Sequence, residues 1–174
     1  SGVCSFIPGM ARDVIEKNLS TIRGRNVTSE VAFFGGSFTG IDRELMTCLL
    51  DLAEEYVKRG QVQGIRMSTR PDYINDEIIE ILKKYTISAV ELGIQSMSDT
   101  VLTTSKRGHT AETSRVAVKL LRDAGFSVVG QMMVGLAGSS REDEVYTARE
   151  ICRLGCSAAR IYPTIVFRET ELSD

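Results

Sequence analysis

The sequence has a single histidine, four cysteines and no apolar run near the roughly 20 residues needed to cross a membrane. Its start, Ser1 to Phe6, shows no basic flank followed by an apolar stretch, so we predict no secretory signal and no membrane partner. The formal net charge of −2 does not indicate a general nucleic-acid-binding surface, and it leaves open a nucleic-acid substrate bound by residues outside this segment. Few cysteines in a chain of this size indicate a cytoplasmic setting with free thiols.

The sequence also lacks the common hydrolytic, phosphate-binding and metal-binding motifs. His109 lies in a polar loop, where a lone histidine is usually a surface residue, and no Ser-His-Asp or Cys-His set can be assembled. Gly35-Gly36 fits neither a phosphate loop nor G-x-G-x-x-G. Cys152 and Cys156 have the spacing of the first two ligands of a CxxxCxxC cluster motif, but Ala159 occupies the third position. We therefore predict no metal site and name no catalytic residue.

What the sequence does contain is a regular alternation of helical and strand patterns. The predicted helices cover residues 11–23, the segments beginning at the caps Asp42 and Asn75, the segment from Ser98, and residues 111–124 and 140–154. The predicted strands cover residues 31–34, 64–69, 88–94, 126–134 and 158–166. This alternation predicts an α/β fold with parallel strands. Two architectures fit: an open doubly wound sheet, or part of a β/α barrel, because a full eight-fold barrel needs about 250 residues.

Polar and glycine-rich residues follow the predicted strands, where parallel α/β folds bind their ligands. Gly35 and Gly36 follow the first strand and would let a ligand approach the backbone, with the Ser37 hydroxyl beside them. A tight turn would also account for the two glycines. Gln95 ends the third strand and Gln131 lies in the fourth, and each is either a satisfied core amide or a partner for a polar, uncharged ligand.

Five short segments are distinctive when taken together: Ser68–Tyr73, Glu91–Ser96, Arg107–Thr110, Met132–Leu136 and Ile161–Thr164. In this order they resemble the radical S-adenosylmethionine superfamily, most closely the Elongator catalytic subunit and its small bacterial relatives. The segment Gly35-Gly36-Ser37-Phe38 resembles the family's glycine-glycine-glutamate-proline motif without its acid. Oxygen-independent coproporphyrinogen III oxidases are similar but more distant.

The resemblance implies a partial TIM-like barrel with five of six parallel strands and outer helices. Residues 1–174 would be one core barrel, truncated at its N-terminus, with the CxxxCxxC loop upstream of Ser1. The implied cofactors are S-adenosylmethionine and a [4Fe–4S] cluster whose ligands lie outside the segment. Gly35 and Gly36, with Ser37, would meet the methionine amino end, and Gln95, Arg107 and Gln131 the ribose and carboxylate side. Arg66 replaces an acid found in some relatives and is a further candidate.

The resemblance also implies radical chemistry in the parent protein. A reductant would supply the cluster with an electron, and S-adenosylmethionine would yield a 5′-deoxyadenosyl radical, whereas the fragment itself is expected to be inactive. The substrate is left open, with tRNA as a candidate, because the acid typical of the porphyrinogen enzymes near Gln131 is missing. The alternatives are a coproporphyrinogen oxidase-like oxidoreductase and a non-radical β/α-barrel lyase that uses Arg70 and Asp72 as its acid–base pair.

Overall fold

The computed structural model describes residues 3–22, 24 and 27–165 of the 174-residue chain. In chain order the elements are α1 (Val3–Leu19), β1 (Glu30–Phe33), α2 (Arg43–Lys58), β2 (Gly64–Thr69), α3 (Asp76–Leu82), β3 (Ile87–Gln95), α4 (Asp99–Thr104), α5 (Ala111–Asp123), β4 (Val128–Val134), α6 (Arg141–Arg153) and β5 (Ala158–Pro163). None of the helices described is long and apolar enough to span a membrane.

The starts of α2, α3 and α6 follow from local capping and confirm the predicted pattern, whereas α1 begins at Val3, eight residues before the predicted start at Ala11. Asp42 accepts a hydrogen bond from the Leu45 backbone N–H at 3.0 Å, and Asn75 caps α3 in the same way. Ser140 opens α6 with a reciprocal capping box. The ends are less well predicted: α1 ends at Leu19 and β5 at Pro163, while Arg23 and Val166, the predicted last residues, lie outside the described residues.

The five strands form one parallel sheet in the order β1-β2-β3-β4-β5, so each strand pairs with the next one along the chain. Since parallel crossovers are right-handed, this sequential order places every connecting helix on the same face of the sheet. A doubly wound sheet would need a reversal of strand order. The partial β/α barrel is therefore correct, and among the described residues β1 pairs on one side only, as an edge strand.

The two faces of the sheet have different chemistry, because successive side chains of a strand point to opposite sides. One face carries buried apolar residues that join the helices in the core. These include Val31, Ile65, Met67, Leu92, Val128 and Met132, which belong to the same cluster as the helix residues Met46, Leu50, Ile78 and Leu121. The other face carries polar and charged residues, and it forms the cavity described below.

The cysteines only partly follow the expectation of free thiols. Cys152 and Cys156 are free, and burial raises the pKa of the Cys156 thiol above its ordinary value. Cys48, in α2, is disulfide-bonded, so the expectation is wrong for this residue. A count of cysteines shows neither which thiols are brought together nor how the fold presents them. The residues that the structure describes contain no group of three or more histidine, cysteine or acidic side chains that could hold a metal ion.

Packing between β4 and α6 leaves no room for a side chain at Gly130. A Cβ there would lie 2.7 Å from Cγ2 of Ile151, which is buried in α6. We expect Gly130→Ala to lower the free energy of unfolding by about 1–3 kcal/mol through overpacking, measured by urea denaturation. We expect the double variant Gly130→Ala/Ile151→Ala to lose less free energy of unfolding than the two single variants together, because the new methyl group enters the space that Ile151 vacates. Strict additivity of the two effects would contradict overpacking as the cause.

Candidate functional site

A cavity of about 500 Å³ lies at the carboxyl ends of the strands, on the polar face of the sheet. It is lined by the predicted residues Gly35, Gly36, Ser37, Gln95, Arg107 and Gln131, together with Phe34, Ser68, Thr69, Arg70, Glu91, Gly93, Arg160 and Tyr162. Residues from all five strands or their following loops thus meet in one place. The structure places the predicted residues together, and their role in holding a cofactor stays a prediction.

Arg66 is the predicted site residue that does not line the cavity. It precedes Ser68 by two residues on β2, and it forms ion pairs with Glu30 at 3.0 Å and Glu91 at 3.2 Å. Strand periodicity places Arg66 and Ser68 on the same face, with Ser68 closer to the carboxyl end. Ser68 is therefore the β2 residue that reaches the cavity, and Arg66 supports its floor through Glu91.

The two glycines after β1 leave the backbone open to the cavity. A Cβ at either Gly35 or Gly36 would meet no atom within 4 Å, and Gly35 has φ +99°, which favours glycine. The Ser68 hydroxyl donates a hydrogen bond to the Gly36 carbonyl at 3.2 Å and links the loop to β2. Backbone groups here can approach a ligand without interference from side chains.

Gln95 is the most unusual residue in the site. Its φ is +67°, a left-handed conformation that costs a residue other than glycine about 1–3 kcal/mol. The Ser96 N–H donates to the Ile94 carbonyl at 2.8 Å, so Gln95 is the central residue of a γ-turn with positive φ. The residue is 8% exposed, and its side-chain Oε1 is buried without a hydrogen-bond partner. A buried amide oxygen without a partner can accept a hydrogen bond from a ligand.

Two arginines approach the cavity from neighbouring segments. Arg70 forms an ion pair with Asp72, with bonds of 2.9 and 2.8 Å, and Asp72 does not line the cavity, which weakens the case for these two residues as the acid–base pair of a lyase. Arg107 donates to the Met133 sulfur at 2.7 Å and has no ion-pair partner among the described residues. Burial lowers the pKa of Arg107, and the positive charge of Arg70 lowers it further. Arg107 is therefore a desolvated cation that a ligand anion would stabilise.

The residue patterns did not predict the charged floor of the cavity. Glu91 is 1% exposed and forms ion pairs at 3.2 Å with Arg66 and with Arg160. The Arg160 guanidinium also lies 5.7 Å from the centre of the Phe34 ring. The only signal in the sequence was a charged residue inside an otherwise apolar strand, which implies a buried partner but does not identify it.

The structure also corrects the prediction for His109, which is 9% exposed and not a surface residue. Its Nε2 lies 3.2 Å from the Ile94 carbonyl oxygen, and its Nδ1 has no partner. Loop position was a poor guide here, because the loop between α4 and α5 folds back against the end of β3. The buried ring touches the peptide that precedes Gln95.

Comparison with known proteins gives a family. Residues 9–151 match the family model described as the Radical SAM superfamily. An uncharacterised protein of Methanocaldococcus jannaschii is 27% identical over all of this chain and 59% of its own length. A tRNA uridine(34) acetyltransferase of Methanocaldococcus infernus is 37% identical over 61% of this chain and 20% of its own length. The chain thus spans less than two thirds of the length of each of these relatives.

Solved structures agree with the fold. The Elp3 protein of Methanocaldococcus infernus, lacking N-terminal residues, superposes with a TM-score of 0.78 at 27% identity, covering 97% of this chain and 44% of that one. Coproporphyrinogen III oxidase from Escherichia coli, described as a radical SAM enzyme, superposes with a TM-score of 0.67 at 18% identity, covering 92% and 38%. The second likeness supports the barrel alone.

Proposed function

The chain belongs to the radical S-adenosylmethionine superfamily, and from this we propose that its cavity binds S-adenosylmethionine. The observation that carries the proposal is the strained Gln95, whose Oε1 is buried and unpaired at the cavity wall. A ribose hydroxyl or an ammonium group of the ligand would satisfy this oxygen. Without a ligand, the strained backbone and the unsatisfied oxygen would both destabilise the folded chain, and no interaction would compensate for them.

The other residues of the cavity fit the remaining groups of this ligand. Arg107, the desolvated cation, suits the methionine carboxylate. The exposed backbone beside Gly35 and Gly36 can accept the ammonium group through its carbonyls. Gln131 adds an amide that can bind hydroxyl or carboxylate oxygens. The chain's part is to bind and orient the cofactor.

A [4Fe–4S] cluster does not fit the residues of this chain. Such a cluster is held by several cysteine thiolates. The sequence has no CxxxCxxC motif, and its described residues offer no cluster of potential ligands. We therefore propose that the ligands lie upstream of Ser1 in a longer protein, and that the chain alone is inactive. If the upstream sequence contained no three closely spaced cysteines, the proposal of radical chemistry would fail.

For the whole protein we propose a radical enzyme that forms a 5′-deoxyadenosyl radical with an external reductant. The tRNA uridine(34) acetyltransferase among the relatives supports tRNA as the substrate class. The likeness to coproporphyrinogen oxidase rests on the barrel alone and supports no porphyrinogen substrate. The lyase alternative has less support, because Arg70 lines the cavity but its partner Asp72 does not.

Titration with S-adenosylmethionine tests the proposal directly. We expect weak binding to this chain and much tighter binding to the protein extended upstream and reconstituted anaerobically with iron and sulfide. The chain retains hydrogen bonds worth about 0.5–1.5 kcal/mol each but has no metal to hold the amino and carboxylate groups. Equal affinity for both proteins would show that the cluster is not an anchor. Absence of 5′-deoxyadenosine from the reduced, reconstituted protein would end the assignment to radical chemistry.

Gly93 offers a prediction about the Gln95 amide that does not require changing Gln95. A Cβ at Gly93 would lie 2.9 Å from Gln95 Nε2, so Gly93→Ala forces the amide aside. We expect binding of S-adenosylmethionine to weaken about fivefold, the value of one hydrogen bond near 1 kcal/mol. The free energy of unfolding should change little, because the displaced group is the end of a flexible side chain. Gly64→Ala, whose Cβ would meet Ser88 away from the cavity, should leave binding unchanged.

A further inference from the structure

The backbone of Gln95 needs something to hold it, because nothing in its own side chain favours a positive φ. Its γ-turn is closed by the Ser96 N–H, which donates to the Ile94 carbonyl. Pairing between β3 and β4 also shifts by one residue here, since Gly93 pairs with Gln131 and Gln95 pairs with Met132. The ladder is therefore interrupted at Gln95, and the sheet alone does not fix the turn.

His109 supplies a hydrogen bond at this peptide. The Ile94 carbonyl can only accept, so the ring donates through Nε2–H across 3.2 Å. The ring is nine-tenths buried, and no other described contact uses its polar atoms, since Nδ1 has no partner. A buried imidazole that makes one hydrogen bond, to the peptide of a strained turn, is placed to hold that peptide.

The same loop carries Arg107 into the cavity. The Arg107 N–H donates to the Leu102 carbonyl at 2.9 Å, and the flanking Lys106 and Gly108 have φ values of +53° and +73°. The hydrogen bond from His109 thus connects this loop to the end of β3. It fixes the position of Arg107 relative to Gln95, although the two residues come from different segments.

We propose that His109 is a positioning residue that holds the Gln95 turn and the Arg107 loop in register for the cofactor. This inference rests on the proposed binding of S-adenosylmethionine. His109 acts through Gln95 and Arg107 and does not line the cavity. Without the hydrogen bond from His109, a second conformation of the turn becomes accessible. In it Gln95 relaxes to negative φ and its side-chain amide moves away from the cavity wall.

Two amide substitutions test the inference as a matched pair. His109→Gln places an amide N–H near the position of Nε2 and should keep the bond to Ile94. His109→Asn places its amide near Nδ1 and should not reach. We expect His109→Asn to weaken binding of S-adenosylmethionine at least fivefold, as for the loss of a hydrogen bond. His109→Gln should stay within about twofold of the unmodified chain, as measured by ligand-detected NMR titration.

Three further measurements separate positioning from a loss of stability. Leu82→Ala removes a buried side chain from α3, away from the cavity, and should leave affinity unchanged in the folded protein. In a Gln95→Ala background, His109→Asn should cause a smaller loss of affinity than in the unmodified chain, because only its effect on the position of Arg107 remains. Hydrogen exchange of the Ser96 amide should accelerate in His109→Asn and not in His109→Gln, with or without ligand.

The outcomes distinguish this inference from the proposed function. If the unmodified chain and the upstream-extended, reconstituted protein both fail to bind S-adenosylmethionine, the proposed function fails and the positioning role fails with it. If the unmodified chain binds and His109→Asn binds equally well, only the positioning role fails. Equal Ser96 exchange in the Asn and Gln variants would likewise overturn it. So would a loss of affinity in Leu82→Ala as large as that in His109→Asn.

Discussion

Replacing Glu91 by glutamine is expected to lower the free energy of unfolding by about 2–3 kcal/mol. Glu91 is almost fully buried and its Oε1 bridges Arg66 and Arg160 at 3.2 Å each. The neutral amide would leave two guanidinium groups near each other, with only Glu30 to balance Arg66. Breaking a fully buried pair costs about 3–5 kcal/mol, and we expect less here because both arginines remain partly exposed. Urea denaturation of the two proteins measures the difference.

Glu150 provides a matched control for this prediction. Its carboxylate also bridges two arginines, Arg115 at 3.4 Å and Arg153 at 3.1 Å, but its side chain is 12% exposed and that of Arg153 is 74% exposed. Glu150→Gln should cost less than Glu91→Gln, about 1 kcal/mol, because water and salt reach the arginines that pair with Glu150 and screen these ion pairs. Adding Arg160→Gln to Glu91→Gln should recover part of the loss by removing the uncompensated cation. Equal effects of the two glutamate substitutions would show that Glu91 is not buried as the structure indicates.

The elements of the fold could be predicted because their signals are local. Asp42, Asn75 and Ser140 begin helices through hydrogen bonds to residues three positions away. The short β-branched and apolar runs gave all five strands. The strand order could not be read from these patterns, because pairing joins residues distant in the sequence. Sequential pairing, with helices on one face, was needed to choose the barrel over the doubly wound sheet.

The residues of the candidate site also fall into two groups, those that local sequence patterns predict and those that depend on contacts between distant segments. Gly35, Gly36, Gln95 and Gln131 were predicted because glycine and amide residues at the carboxyl ends of buried strands are typical of a ligand site. Arg160 was missed because it enters the cavity only through the register of β5 on β4, where it pairs with Gln131. The burial of His109 depends on the loop between α4 and α5 folding back against β3, which the spacing of apolar residues in the sequence does not predict. The strain at Gln95 is likewise invisible in a sequence.

Arg107→Met is expected to separate binding from stability most clearly. Methionine keeps most of the side-chain length, fills the same partly buried space and removes the charge. If Arg107 holds the methionine carboxylate, the loss of a charged hydrogen bond worth about 1.5–3 kcal/mol should weaken binding of S-adenosylmethionine about 10- to 150-fold. The S-adenosylmethionine titration used for the unmodified chain measures this change.

Although Arg107→Met should weaken binding, it should leave the free energy of unfolding unchanged or raise it. Without ligand, Arg107 is desolvated beside Arg70, whose charge adds to the lowering of its pKa, so its charge is a cost to the folded chain. We expect the free energy of unfolding to stay within about 0.5 kcal/mol of the unmodified chain or to rise. Arg153→Met, on the exposed face of α6, should alter neither quantity. A variant that lost stability and affinity together would show that Arg107 supports the fold, and the carboxylate site would then have to be sought among Arg70, Gln95 and Gln131.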